Sequence, residues 1–192
     1  MRCIARALRF IVPLIVVLAA GTAGAGDVPD MLRVSAIPDE NPIELLRIYA
    51  PFADYLAKEL KMKVKFTPVV DYAATVEGLA ANKLDLVWLG GFTSVQAVRR
   101  TGGTAKRLVL REEDAEFKSV FIARPDSGIQ SLQDLKGKTF AFGSVSSTSG
   151  HLMPRFFILQ SQLRPERDFR QVAFSGAHDA TALWVESGKV EA

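Results

Sequence analysis

One cysteine and two histidines among 192 residues leave little material for covalent or metal chemistry. Cys3 has no partner for an internal disulfide. A tetrahedral zinc site needs four Cys or His ligands, so a structural metal site and a disulfide scaffold are both excluded. There is no internal repeat, no low-complexity stretch and no long linker. With 14 Gly, 9 Pro, 48% hydrophobic and 23% charged residues the composition is neither collagen-like nor disordered, but that of an ordinary globular chain. The length suits one sizeable domain or two small lobes.

The basic balance belongs to the first residues. Arg2, Arg6 and Arg9 precede an apolar run from Phe10 to Ala20, with no acidic residue among them, and Gly21-Thr22-Ala23-Gly24-Ala25 follows. A positive start, an apolar middle and an Ala-x-Ala end predict a signal peptide over residues 1–25, cut after Ala25. The alternative, a membrane anchor, needs about 20 apolar residues to span a bilayer. Cleavage removes 3 of 24 basic residues and leaves 21 against 21 acidic ones, so the mature chain is formally neutral. That removes the main argument for nucleic acid as a partner. Cys3 leaves with the signal, and Gly26 follows the cut, so neither a thiol nucleophile nor a lipid-anchored cysteine remains. A cysteine-free, exported, periplasmic protein is expected.

Short runs rich in Val, Leu and Phe predict strands at Leu32–Ile37, Val64–Val70, Leu84–Leu89, Arg107–Leu110, Val120–Ala123, Thr139–Phe142 and Arg170–Phe174. Between them, Leu45, Tyr49, Phe52, Leu56 and Leu60 recur at helical spacing, with Pro42 suited to the first turn. Further helices are predicted over Tyr72–Ala81, Phe92–Arg100, Ser147–Gln160 and Ala177–Ser187, with a short one at Ser131–Lys136. Pro154 predicts a kink or restart near His151–Pro154. Alternating strand and helix is the pattern of an α/β sheet. The turn-rich Arg124-Pro125-Asp126-Ser127-Gly128 suggests a hinge near residues 118–126, dividing a first lobe at 26–118 from a hinge strand and partial second lobe at 119–192.

Phe140 to His151 is the most informative stretch. A strand enters a turn holding Ser147, Thr148 and Ser149 and then a helix, so the unpaired N–H groups of the helix start, and three hydroxyls, could hold an anion. One serine could equally serve as an ordinary helix cap. The theme returns at Val172 to Asp179, where His178 in the first helical turn could donate to an oxyanion or be a plain surface histidine. It returns again at Trp88-Leu89-Gly90-Gly91-Phe92-Thr93, and Asp71-Tyr72 opens a helix directly after a strand. Four helix starts at strand C-termini would then face the space between the lobes, the edge where open α/β sheets bind ligands. Enzyme motifs fare worse. Ser147, His178 and Asp179 could be drawn as a hydrolase triad, but no G-x-S-x-G elbow exists. Gly137-Lys138-Thr139 lacks the upstream glycine of a phosphate-binding P-loop.

Taken with Ile37-Pro38-Asp39-Glu40, Pro51 to Leu56, Ser147 to Arg155 and Gly176 to Thr181, these segments resemble the periplasmic substrate-binding proteins of phosphonate-type ABC transporters, including the branches assigned to phosphite and to selenate. The resemblance implies a two-lobed, type II-like periplasmic binding fold. It implies an oxyanion gripped by Ser147, Thr148 and Ser149, closed over by Tyr72 and completed by His178, with Gly91 and Thr93 at the third helix start. Aminoalkylphosphonate binders carry a tyrosine where Phe117 stands, so a small inorganic oxyanion is favoured. Family chains also continue well past Val190, so a C-terminally truncated second lobe is expected. The function that follows is capture of a phosphonate, phosphite, phosphate or selenate for a membrane ABC permease, without cofactor, metal or catalysis, by a protein monomeric at family length. A periplasmic sensor serving a membrane histidine kinase is the alternative, and a secreted Ser/His hydrolase a third reading.

Overall fold

The computed structural model describes residues 29–192, so the signal-peptide reading over residues 1–25 lies outside the described residues. Strands β1 (Met31–Ala36), β2 (Lys63–Phe66) and β3 (Leu86–Trp88) form a parallel sheet in the order β2-β1-β3. Val34 in the central strand pairs with Phe66 on one side and Leu86 on the other. Val34, Ser35 and Ala36 are buried, as the middle of a parallel sheet demands. The one hydroxyl among them is satisfied, since Ser35 donates to the Thr67 carbonyl at 2.8 Å.

Helix α1 (Pro42–Leu60) starts where sequence rules place a start. Asn41 Oδ1 accepts the Glu44 N–H at 3.1 Å, Pro42 occupies the first turn, and Lys61 closes the end in the left-handed region. Helix α2 (Tyr72–Ala80) is capped in the same way by Asp71, which accepts from Ala74 N at 2.7 Å. Helix α3 (Gly91–Arg100) begins on Gly90, which has no side chain to cap with.

Residues 106–124 lead to a second parallel pair, β4 (Thr139–Phe142) with β5 (Gln171–Phe174), in register from Thr139↔Gln171 to Phe142↔Phe174. A π-helical turn over Thr148–Leu152 runs into α4 (Met153–Gln160), with Pro154 in the first α-turn. The restart predicted around His151–Pro154 is found there, because a proline ring is tolerated only where no upstream carbonyl awaits its N–H. A short α5 (Pro165–Asp168), not anticipated from the sequence, and α6 (His178–Glu186) complete the element order. The second core gathers Leu135, Phe140, Phe142, Ile158, Leu163 and Phe169, with Phe140 edge-on to Phe142 at 4.9 Å and Phe142 stacked on Phe174 at 5.6 Å.

Three predicted strands are corrected. Arg107–Leu110 and Val120–Ala123 have no regular secondary structure and join no ladder among the described residues, and Leu108, Val109, Leu110 and Val120 stay largely exposed. An apolar run announces a need for burial without naming the strand that would pair with it. The second predicted strand is also too long: the ladder stops at Phe66 and Thr67 N makes the last bond, to Val34 O at 2.9 Å, before Pro68 interrupts the donors.

Phe140 is 5% exposed, so Phe140→Ala is expected to cost about 3–5 kcal/mol of unfolding free energy in urea titration. Ile43→Ala, at 81% exposure, is expected to change it by less than about 0.5 kcal/mol.

Candidate functional site

All strand pairs are parallel within their sheets, so each sheet collects its strand C-termini on one edge. The order β2-β1-β3 runs outward on both sides of β1, so the chain leaves neighbouring strands in opposite directions there and opens a crevice. Helices α2 and α3 begin beyond β2 and β3; the π-turn and α6 begin beyond β4 and β5.

These four helix starts meet. Ser147 Oγ accepts the Gly150 N–H at 3.0 Å and lies beside the Tyr72 side chain at the head of α2. Thr148 Oγ1 accepts the Phe92 N–H of α3 at 2.7 Å, so a hydroxyl of the second half occupies the cap that Gly90 cannot supply. Ser149 Oγ lies 3.4 Å from His178 Nε2 at the first position of α6. Six of the seven predicted residues, Tyr72, Gly91, Ser147, Thr148, Ser149 and His178, are thereby brought to one place. The seventh, Thr93, is fully buried and spends its hydroxyl on the Gly90 carbonyl at 3.0 Å. The capping reading of the serine turn is met by Ser147. Ser147 is the helix cap, while Thr148 and Ser149 retain protons they can donate.

Glycine is needed at one point of this approach, Gly150; a Cβ on Gly90 or Gly91 would meet Thr148 Oγ1 at 3.6 Å, an ordinary contact distance. One on Gly150 would stand 3.0 Å from Ser147 Oγ, 3.3 Å from the Gly143 Cα and 3.3 Å from His178 Cε1. The Gly143 N–H donates to Gly150 O at 2.7 Å, tying the end of β4 to the turn. Beside Ser149 and His178 lies a cavity of about 280 Å³, walled by Phe117, Val120, Phe121 and Phe142.

Electrostatics add Asp39, to which no local motif assigns a role. Burial pushes the Asp39 carboxyl up, against its own backbone N–H and the nearby charges of His178 and Arg111. Asp39 stands three residues beyond the end of β1, and burial disfavours its charged form. No spacing marks it, since Asp39 comes close to His178 only through the fold. Burial, with the Asp39 charge next, pushes the Tyr72 hydroxyl up to about 12; the Ser147 bond opposes the rise and the Asp179 charge adds to it. Tyr49, also raised to about 12 chiefly by burial, feels Asp39 too. The drawn triad does not form. Ser147 Oγ accepts from Gly150 N at 3.0 Å, and Asp179 Oδ1 accepts from Ala180 N at 2.7 Å.

Residues 34–192 match the model of a protein family described as the periplasmic substrate-binding protein of phosphonate ABC transporters. The chain belongs to this family. A Prochlorococcus marinus protein named "Probable ABC transporter phosphite binding protein" is 40% identical over 171 residues, which are 85% of this chain and 57% of that protein. The "Phosphate-import protein" of Mycolicibacterium smegmatis is 32% identical over 174 residues, 85% of this chain and 54% of that one. The chain thus spans a little over half the length of these curated relatives. A solved Prochlorococcus marinus structure of the family, in complex with methylphosphonate, superposes with a TM-score of 0.73 at 35% identity, covering 85% of this chain and 62% of the other. The fold is the two-lobed α/β fold of periplasmic binding proteins, a family of solute binders rather than enzymes.

Gly150→Ala is expected to push Ser147 and His178 apart and to cost about 1–3 kcal/mol, read by denaturant titration. A raised tyrosine holds its proton more tightly when folded, so stability is expected to fall as pH rises from about 10, where an unfolded tyrosine ionises, towards about 12. Tyr72→Phe should flatten part of that fall, followed by alkaline unfolding.

Proposed function

We propose that this protein captures a small tetrahedral oxyanion between its lobes and delivers it to an ABC permease. The observation that carries the reading is the convergence of four helix starts, each following a strand C-terminus, around the hydroxyls of Ser147, Thr148 and Ser149. Helix N-termini favour negative charge, and hydroxyls and amides bind it without a neutralising cation. Tyr72, Gly91 and His178 would complete the shell, with Thr93 supporting the α3 turn from beneath. The lobes would be residues 26–118 and 119–192. Export by a cleaved signal at residues 1–25 would place the protein in the periplasm, facing the permease.

The family relatives are named for phosphite and for phosphate, and the solved one holds methylphosphonate. Phe117 lines the cavity beside Ser149 with no hydroxyl to offer, which favours an inorganic anion or a very small substituent over an aminoalkyl chain. Phosphite and methylphosphonate are therefore expected to bind more tightly than sulfate or an aminoalkylphosphonate in isothermal titration calorimetry.

Thr148→Ala and Ser149→Ala each remove a donor to a charged group, worth about 1.5–3 kcal/mol, and are expected to weaken binding roughly tenfold to hundredfold. Ser161→Ala, at the far end of α4 with its hydroxyl on Phe157 O, should leave the affinity unchanged. If both site variants bind every one of these anions as tightly as the parent, the assignment is wrong. Closure should also alter the emission of Trp88, at the end of β3 beneath the Arg111 guanidinium, more than that of Trp184.

A further inference from the structure

The turn that carries Ser147–Ser149 is braced by a residue that does not line the cavity beside Ser149 and His178. His151, inside the π-helical turn, places Nδ1 2.7 Å from the Val145 carbonyl and accepts the Arg155 Nε–H on Nε2 at 2.8 Å. A guanidinium can only donate, so Nε2 carries no proton and Nδ1 must carry it, which makes the ring a donor to Val145. Arg155 is itself fixed, paired with Glu166 at 2.6 Å and lying over the Phe142 ring at 4.9 Å. The imidazole stands edge-on to Phe142 at 5.0 Å and to Phe174 at 4.9 Å, the last residues of β4 and β5. Val145 lies between Ser144 O, which accepts from Ser147 N at 2.9 Å, and the serine turn, so the bond from His151 closes the loop on its outer side.

We propose that His151, locked by Arg155 as the neutral Nδ1–H tautomer, is the positioning residue that fixes the Ser147–Ser149 turn for oxyanion binding. The claim rests on the binding function proposed above for the same turn. Glu166 and Arg155 are the charged groups that face the ring, from α5 and α4; aromatic rings fill the strand side.

Two substitutions separate its roles. His151→Asn can keep a donor near the Nδ1 position, while His151→Phe keeps the aromatic packing on Phe142 and Phe174 but loses the donor. The Phe variant is expected to bind phosphite and methylphosphonate about tenfold or more weakly, and the Asn variant to recover most of that loss. A purely structural role would spare the Phe variant, so parent-like affinity there would overturn the proposal. A second measurement does not depend on any ligand. Long-range proton–nitrogen NMR of the 192-residue chain, whose only other histidine is His178, should show His151 protonated on Nδ1 at neutral pH, and Arg155→Leu should admit the other tautomer. Amide exchange at residues 147–150 should accelerate in the Phe variant and not in the Asn variant. An Nε2–H tautomer in the parent, or unchanged exchange in the Phe variant, would also overturn it. If no oxyanion binds the parent while these NMR results hold, the functional reading fails and the positioning role stands.

Discussion

The first N–H groups of a helix have no acceptor within that helix, and this chain brings four such starts within reach of one another. That arrangement costs free energy unless acceptors are supplied from outside each helix. Asp71 supplies one for α2 and Ser147 one for the π-turn, whereas α3, which begins on a glycine, receives Thr148 from the opposite side of the crevice. The remaining geometry follows from that need. Gly150 lacks a side chain where Ser147 Oγ and Gly143 come close, and Gly143 ties the strand end to the turn.

In the proposed function, neutral donors give the site a particular chemistry. A lysine or arginine aimed into the crevice would attract any anion; hydroxyls and amides reward one whose oxygens match their directions. Arg111 stands over Trp88 and pairs with Asp114, and Arg155 is turned onto Glu166 and His151. The acidic member is Asp39, whose burial raises its affinity for a proton. In the proposed reading, a carboxyl so placed favours an anion that brings a hydroxyl hydrogen over one that is oxygen on every side.

Much of the scaffold was legible because it rests on local chemistry. Asn41 and Asp71 cap, Pro42 starts, and Pro154 interrupts through contacts within a few residues of themselves, and the spacing from Leu45 to Leu60 needs no partner to be read as a helical face. The serine turn was legible for the same reason, since Ser147, Thr148 and Ser149 are adjacent. The segments at 107–110 and 120–123 were misread because a strand is a property of a pair, and their composition shows a preference for burial without a partner to bond.

Sequence alone determined which residues begin helices after strands, and hence that several donor-rich turns exist, because backbone hydrogen bonding and capping act over three or four positions. Folding decided which of those turns face one another. That Thr148 caps α3 across 56 residues, that Ser149 meets His178, and that Asp39 lies near His178 are consequences of parallel strands delivering distant turns to a common edge. Such contacts depend on strand order and register, which no local pattern encodes.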